Sequence, residues 1–183
     1  MSSIGVVLDA CVLFPGSLRD ILLRAAEVDL YRLCLTDQIV EEMRRNLVKK
    51  RQMTEIQAQY LVQEMKKSFS DAFEIEHIPL IPDMPVNEKD RHVLAAAVSS
   101  GSQFIVTANL KDFPQQVMEQ FEIKALSADD FLIYQFSQDR ETMINIVREH
   151  TNSSKNPPLS LEEVLGRLKK VVPMFTQVIQ GHI

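Results

Sequence analysis

The sequence has 183 residues, 45% of them hydrophobic and 25% charged, with 20 basic and 25 acidic residues and a formal net charge of −5. These are ordinary globular values, and they exclude collagen-like, disordered and disulfide-scaffold proteins. The acidic balance argues against nonspecific nucleic-acid binding, unless several of the acids surround a metal ion.

The sequence gives no sign of export or of membrane insertion. Its longest apolar run, residues 4–14, is interrupted by Asp9 and stays well short of the ~20 residues that span a bilayer. The start lacks the basic region and the apolar stretch of a signal peptide. Cys11 and Cys34 lie in apolar segments, as expected of buried thiols in a reducing compartment. We therefore expect a cytoplasmic protein that does not bind membranes.

In the first half of the chain, short apolar runs alternate with amphipathic segments. Residues 4–8 are typical of a strand buried on both faces, and this run ends at Asp9. A loop with Pro15 and Gly16 follows. The pattern then predicts a helix capped by Ser17, a strand over residues 31–35, a helix capped by Thr36 or Asp37, and an amphipathic helix over residues 54–73.

The second half continues the alternation. Residues 77–85 contain three prolines and predict a short strand with a loop. The elements predicted after it are a helix from Asn87 to about Ser100, a strand over residues 104–107, a polar loop over residues 108–112, a helix near Pro114, a strand over residues 122–126 and a helix capped by Ser127.

Strands separated by helices need crossover connections, so the sequence predicts an α/β fold with a mainly parallel sheet and helices on both faces. Residues 151–158 are the one linker-like stretch, and Ser160 then caps a helix that Pro173 ends. We predict one domain over residues 1–150 and a linker with a helical extension over residues 151–183. The extension is too small to fold alone, so we expect its apolar stripe to dock on the domain or on another chain.

Two carboxylates stand out by their position. Asp9 directly follows the first predicted strand, at the strand end where parallel sheets bind ligands, although a single Asp there is more often a turn residue. Asp90 lies three, four and seven residues before Val93, Leu94 and Ala97, so it shares the apolar face of its helix. A carboxylate held toward the interior is costly unless a metal ion, Arg or Lys meets it.

Three further residues are weaker candidates. Glu42 lies nearer the apolar stripe of its helix than Glu41 does, although the pattern favours it only slightly over a solvated acidic face. Asn109 and Asp112 follow the strand that ends at Thr107, where ordinary loop polarity would explain either residue alone.

Acids from separate segments can thus converge at one edge of the sheet. Like charges resist ionisation together, and a divalent cation relieves this conflict. Mg²⁺ and Mn²⁺ prefer oxygen ligands and commonly combine protein carboxylates with substrate phosphates. Setting aside Asp9, Glu42, Asp90 and Asp112 lowers the acidic count from 25 to 21, against 20 basic residues. Basic clusters at residues 44–45, 49–51 and 66–67 would then be available for phosphates, although most surface charges are simply solvated.

Four motifs, in order and with suitable spacing, resemble those of the PIN-domain nucleases, and most closely the VapC-like toxins of toxin–antitoxin modules. They are VVLDACVL around Asp9, EMRRNL from Glu42, DRHVLAAA from Asp90 and VTANLKDF around Asn109. The resemblance extends from about residue 4 to residue 135. It implies a Rossmann-like PIN fold and a Mg²⁺- or Mn²⁺-dependent endoribonuclease with an RNA substrate, a protein antitoxin and a homodimeric state.

The resemblance also implies a ligand set. It makes Asp9, Glu42 and Asp90 the first three acids, with Asp9 and Asp90 as direct metal ligands. Many members carry an Asp two residues after the Thr, where this chain has Asn109, so Asp112 either replaces that residue or assists it. The number of ions, one or two, is left open. Cys11 stands where many members have a small polar residue that orients the first acid, and an S–H group is a weaker donor.

Two other functions fit parts of the sequence. A PIN-like fold can act as a catalytically inactive RNA-binding or assembly module when its acids are lost, but this chain retains three acids and a candidate fourth. A haloacid-dehalogenase-like phosphatase also places an Asp after its first strand, but it needs a second Asp at the position of Cys11. The sequence therefore favours a ribonuclease.

Overall fold

The computed structural model describes residues 4–153 and 158–183. A four-stranded parallel sheet forms the centre of the fold, with strand order β2-β1-β3-β4. The strands are β1 (Gly5–Leu8), β2 (Arg32–Cys34), β3 (Phe104–Val106) and β4 (Lys124–Leu126). The predicted α/β fold with a parallel sheet and flanking helices is confirmed.

Helices make up most of the remaining described chain. They are α1 (Ala10–Leu13), α2 (Gly16–Glu27), α3 (Asp37–Lys49), α4 (Glu55–Ser68), α5 (Arg91–Ser100), α6 (Gln115–Glu119), α7 (Ala128–Gln138), α8 (Arg140–Ser153), α9 (Leu161–Lys169) and α10 (Pro173–Gln180). Short 3₁₀ helices cover Ser70–Phe73, Ile78–Asp83, Glu88–Asp90 and Leu110–Asp112. None of the helices in the described ranges is long and apolar enough to cross a membrane.

The central strand explains why the sheet is covered on both sides. Side chains alternate between the two faces of a strand, yet Val6, Val7 and Leu8 are all fully buried. Helix α5 packs against β1, β2 and β3, while α7 packs against β4. β1 and β3 run in register from Val6–Phe104 to Leu8–Val106, so the residues that follow them, Asp9 and Thr107, leave the sheet side by side.

Most predicted strands and caps are confirmed. Thr36 accepts a hydrogen bond from the Ile39 amide at the start of α3, and Ser160 forms a full capping box with Glu163 at the start of α9. Ser127 accepts from the Asp130 amide at the start of α7. Each of these side chains satisfies an amide that the first helical turn leaves unpaired.

Several local predictions were wrong. The helix predicted over residues 54–73 ends at Ser68, and a separate 3₁₀ helix follows it. The loop expected after Asp9 contains α1, and α2 begins at Gly16 after Pro15 instead of being capped by Ser17. The side chain of Asn87 makes no capping bond, and a 3₁₀ turn separates it from α5. The other two differences involve proline. Residues 78–83 form a 3₁₀ helix with no strand, and Pro173 opens α10 where only the end of α9 was expected. Proline cannot donate a ladder hydrogen bond, but it fits the first turn of a helix.

The C-terminal helices dock on the body of the protein, which is one of the two arrangements predicted for the extension. Helix α9 contacts α2 and α8, and α10 contacts α7 and α9. Asp129 of α7 accepts hydrogen bonds from the amides of Met174 and Phe175, at 3.0 and 2.6 Å, at the start of α10. The boundary near residue 150 stays a prediction. Of the predicted linker, residues 151–153 end α8, and residues 154–157 lie outside the described residues.

Candidate metal and nucleic-acid site

An open cavity of about 490 Å³ lies beyond the carboxyl ends of β1 and β3. Helix α3 and the start of α5 supply the rest of its wall. Its lining residues are Asp9, Cys11, Gln38, Glu42, Arg45, Asn46, Lys49, Lys89, Asp90, His92 and Asn109. Four of the five predicted site residues, Asp9, Glu42, Asp90 and Asn109, therefore share one cavity.

Asp9 is buried and held by two side-chain donors. Thr107 Oγ1 donates to Asp9 Oδ2 at 2.7 Å, and Cys11 Sγ donates to the same oxygen at 3.2 Å. Burial and the nearby Asp9 charge raise the pKa of Cys11 to about 11, so the thiol stays protonated and remains a donor. Cys11 thus orients Asp9, the task of the small polar residue it replaces in the resemblance.

Glu42 reaches the cavity from α3. Its side chain is 44% exposed, and Oε2 lies 3.7 Å from Nε2 of the buried His92. Partial burial and the Asp9 charge raise the pKa of Glu42, with Asp90 adding to the shift and Arg45 opposing it. Burial lowers the pKa of His92, so the ring faces Glu42 mainly in its neutral form at pH 7.

Asp90 is the most buried acid of this cavity after Asp9, and only 9% of its surface is exposed. Within the described ranges, its Oδ2 atom is buried and has no hydrogen-bond donor. Burial raises the pKa of Asp90, and the charges of Asp112 and Asp9 act in the same direction, while Lys89 opposes them. Lys89 Nζ lies 3.7 Å from this Oδ2 atom.

Asn109 and Asp112 occupy different positions around the site. Asn109 lines the cavity, and its amide donates to Thr107 Oγ1 at 3.1 Å. Asp112 is not among the lining residues, but its Oδ2 atom accepts from Lys89 Nζ at 3.1 Å. Asp112 is therefore joined to the site through Lys89, and either residue remains a candidate for the fourth position.

The donor types suit a hard divalent cation, although the site is not preassembled. In the part of the chain that the structure describes, no three His, Cys, Asp or Glu side chains are arranged so that they could hold a metal ion. The Oδ2 atom of Asp90 is buried and has no hydrogen-bond donor in the described chain, and neighbouring carboxylates raise the pKa of both Asp90 and Glu42. Such a set of oxygens fits Mg²⁺ or Mn²⁺.

Sequence reasoning missed several residues of the cavity. One face of α3 lines it at helical spacing, through Gln38, Glu42, Arg45, Asn46 and Lys49. Once Glu42 was suspected, the same spacing could have identified its four neighbours. Of the predicted basic clusters, Arg45 and Lys49 line the cavity, whereas Arg44 pairs with Glu41 and Glu55, and Lys66 pairs with Asp37.

Comparisons with known proteins agree with this architecture. Residues 5–111 match the PIN domain, and residues 128–181 match the VapC50 C-terminal domain. A protein of Mycobacterium tuberculosis (strain ATCC 25618 / H37Rv), named "Putative ribonuclease VapC50", is 38% identical over 104 residues. This alignment covers 57% of the present chain and 62% of that relative's length. No solved structure matches significantly.

Proposed function

Because the chain belongs to the PIN-domain family, we propose that it is a divalent-metal-dependent endoribonuclease that hydrolyses RNA phosphodiester bonds. We further propose that it is the toxin of a type II toxin–antitoxin module, with a protein antitoxin as partner. The family membership, and the similarity to a protein named as a ribonuclease, support this proposal.

The observation that carries the proposal is Asp90, which lines a cavity shared with Asp9 and Glu42 and whose buried Oδ2 atom has no hydrogen-bond donor in the described chain. A buried carboxylate oxygen without a hydrogen bond is unfavourable in a folded protein, and Lys89 Nζ, at 3.7 Å, is too far away to donate one. Mg²⁺ or Mn²⁺ is the cation that matches oxygen ligands and a phosphate substrate.

In this proposal each acid has a distinct task. Asp9 and Asp90 hold the ion directly, and Thr107 and Cys11 keep Asp9 oriented through their hydrogen bonds to its Oδ2 atom. Glu42, with Asp112 or Asn109, completes the ligand set or orients water. When bound, the ion would act as a Lewis acid toward the phosphodiester and would favour its hydrolysis by water.

The RNA strand is expected to follow the exposed face of α3. Arg45 and Lys49 line the same cavity as the acids, and they lie four residues apart on α3, about one helical turn. Their charges can bind backbone phosphates on either side of the scissile bond. Gln38 and Asn46 supply hydrogen-bonding groups on the same wall.

The proposal is tested by incubating the purified protein with a mixed set of RNAs in EDTA, Mg²⁺ or Mn²⁺, and comparing the wild type with Asp90→Asn. We expect cleavage that requires the ion and falls at least ~100-fold in Asp90→Asn. Asp83→Asn is the matched control, since it removes an exposed carboxylate of the preceding 3₁₀ helix and should cleave like the wild type.

Cleavage that persists in EDTA, or equal cleavage by Asp90→Asn, contradicts the proposed mechanism. A folded, metal-supplied wild type that binds RNA without cutting it would instead support the inactive RNA-binding module.

A further inference from the structure

Lys89 makes contacts that set it apart from the other basic residues of the cavity. Its Nζ atom lies 3.1 Å from Asp112 Oδ2 and 3.7 Å from Asp90 Oδ2, so one ammonium bridges two of the predicted ligands. The side chains of these two acids are 11% and 12% exposed, whereas that of Lys89 is 67% exposed. Two largely buried carboxylates are thus paired with one exposed ammonium group.

The atom that Lys89 approaches is significant. Asp90 Oδ2 is the same buried oxygen that lacks a hydrogen-bond donor. At 3.7 Å the ammonium balances the charge of this oxygen without forming a hydrogen bond to it. A divalent cation bound by the Asp90 carboxylate would repel the ammonium beside it.

The other cations of the cavity are placed differently. Arg45 lies 3.7 Å from Glu41, which is not a predicted ligand. Lys49 lines the cavity from the C-terminal end of α3 and forms no ion pair with a predicted ligand in the described chain. Lys89 immediately precedes Asp90 in a 3₁₀ turn, so the backbone itself keeps the two side chains together.

We propose that Lys89 is a tethered counter-ion of the metal site, which holds Asp90 and Asp112 together when no divalent ion is bound and is displaced when one binds. Lys89 is then a positioning residue that lowers the affinity of the site for the ion. This inference rests on the proposed function, because it requires a cation to bind at Asp90. It also accounts for a ligand set that is close together but not preassembled.

The first test measures Mn²⁺ binding to the full chain by isothermal titration calorimetry after treatment with EDTA and its removal. Lys89→Met removes the competing charge and should bind Mn²⁺ about tenfold more tightly than the wild type. Lys89→Arg keeps a cation and should stay close to the wild type. Lys111→Met is the matched control, since it removes an exposed positive charge next to Asp112 and should change the affinity much less.

A second readout uses thermal unfolding of the same variants. In EDTA, Lys89→Met should unfold at a lower temperature than the wild type, because Asp90 and Asp112 lose their counter-ion. In saturating Mn²⁺ this difference should vanish or reverse, since the bound ion takes over that role and binds the variant more tightly. A purely structural lysine would lower the unfolding temperature equally under both conditions.

The outcomes separate the two proposals. If Mn²⁺ binds the wild type and loses affinity in Asp90→Asn, but Lys89→Met leaves the affinity and both unfolding temperatures unchanged, the role of Lys89 is overturned and the metal site stands. If the wild type does not bind Mn²⁺ at all, both proposals are overturned.

Discussion

Two donors of unequal strength hold Asp9 in place. The Thr107 hydroxyl is fully buried and lies 2.7 Å from Asp9 Oδ2, whereas the Cys11 thiol lies 3.2 Å from it. An S–H group is the weaker donor, so Thr107 makes the larger contribution to the orientation of this carboxylate. Thr107 also accepts the Asn109 amide and therefore links two predicted ligands.

Thr107→Val tests this orientation, because valine keeps the shape of threonine and removes its hydroxyl. We expect RNA cleavage to fall about 10- to 100-fold, the usual cost of losing a group that orients a metal ligand. Thr107→Ser retains the hydroxyl and should retain most of the activity. The measurement is kcat/KM at saturating Mg²⁺, and equal rates for the valine and serine variants would contradict the assigned role.

For single residues, the sequence predicts the candidate metal ligands better than it predicts the side chains that orient them. Asp9 could be found because it ends a strand, and Asp90 because it lies on an apolar helix face. Thr107 carries no comparable signal, since its partner Asp9 is 98 residues away and becomes a neighbour only through the β1–β3 register. In the sequence Lys89 looks like an ordinary exposed lysine, because its ion-pair partner Asp112 is 23 residues away.

Among the elements, α2 and α8 are joined by a polar cluster around Asp20. Oδ2 of Asp20 accepts from Arg24 Nε at 2.6 Å and lies 2.6 Å from His150 Nδ1. Burial alone would raise the pKa of Asp20, but the hydrogen bonds from His150 and Arg24 outweigh it and lower the pKa below its ordinary value of 3.8. The charged carboxylate therefore stabilises the packing of α8 on α2.

Asp20→Asn should lower the free energy of unfolding by about 1 kcal/mol at pH 7, a modest value because the carboxylate is partly exposed and screened. A depressed pKa gives stability that is fully present above 3.8 and is lost as the pH falls through the folded-state pKa. Urea unfolding of both proteins at pH 7 and at pH 3 should show the difference shrinking in acid. A constant difference would contradict the sign of the shift, and Asp83→Asn is the exposed control.

Regular elements follow from periodicity, whereas short irregular ones do not. The continuous apolar run of β1 and the cap at Thr36 are local features, and both could be predicted from the sequence. Helix α1 has only four residues, too few for a helical period to appear, and the 3₁₀ turns before α5 and after β3 are equally short. These short elements form because the chain reverses direction beyond the carboxyl ends of the strands, and this depends on tertiary structure.

At the scale of the whole molecule, the local charge around the site differs from the net charge of the chain. The net charge is −5, yet Arg45 and Lys49 line the same cavity as the carboxylates. A nucleic acid would therefore meet positive charge beside the site, where ion binding would also cancel part of the local negative charge. We expect RNA affinity to depend on a few phosphate contacts and to be sensitive to salt.

The salt dependence of RNA affinity can be measured in the Asp90→Asn variant, in which cleavage is prevented. Adding Lys49→Met should reduce the slope of log affinity against log salt by about 0.7, the value for one lost phosphate contact to a single strand. Lys50→Met is the matched control, since Lys50 is the next residue and does not line the cavity. If both variants reduce the slope equally, the charge near α3 acts as a general field and the assigned contact is wrong.

We expect Asp9, Glu42 and Asp90 to surround the same divalent-cation site, and paramagnetic broadening by Mn²⁺ tests this expectation most directly. Substoichiometric Mn²⁺ should broaden the ¹H–¹⁵N signals around these three residues first, while signals of α10 remain sharp and Mg²⁺ causes no broadening. Broadening centred elsewhere, or spread evenly over the acidic surface, would contradict the account.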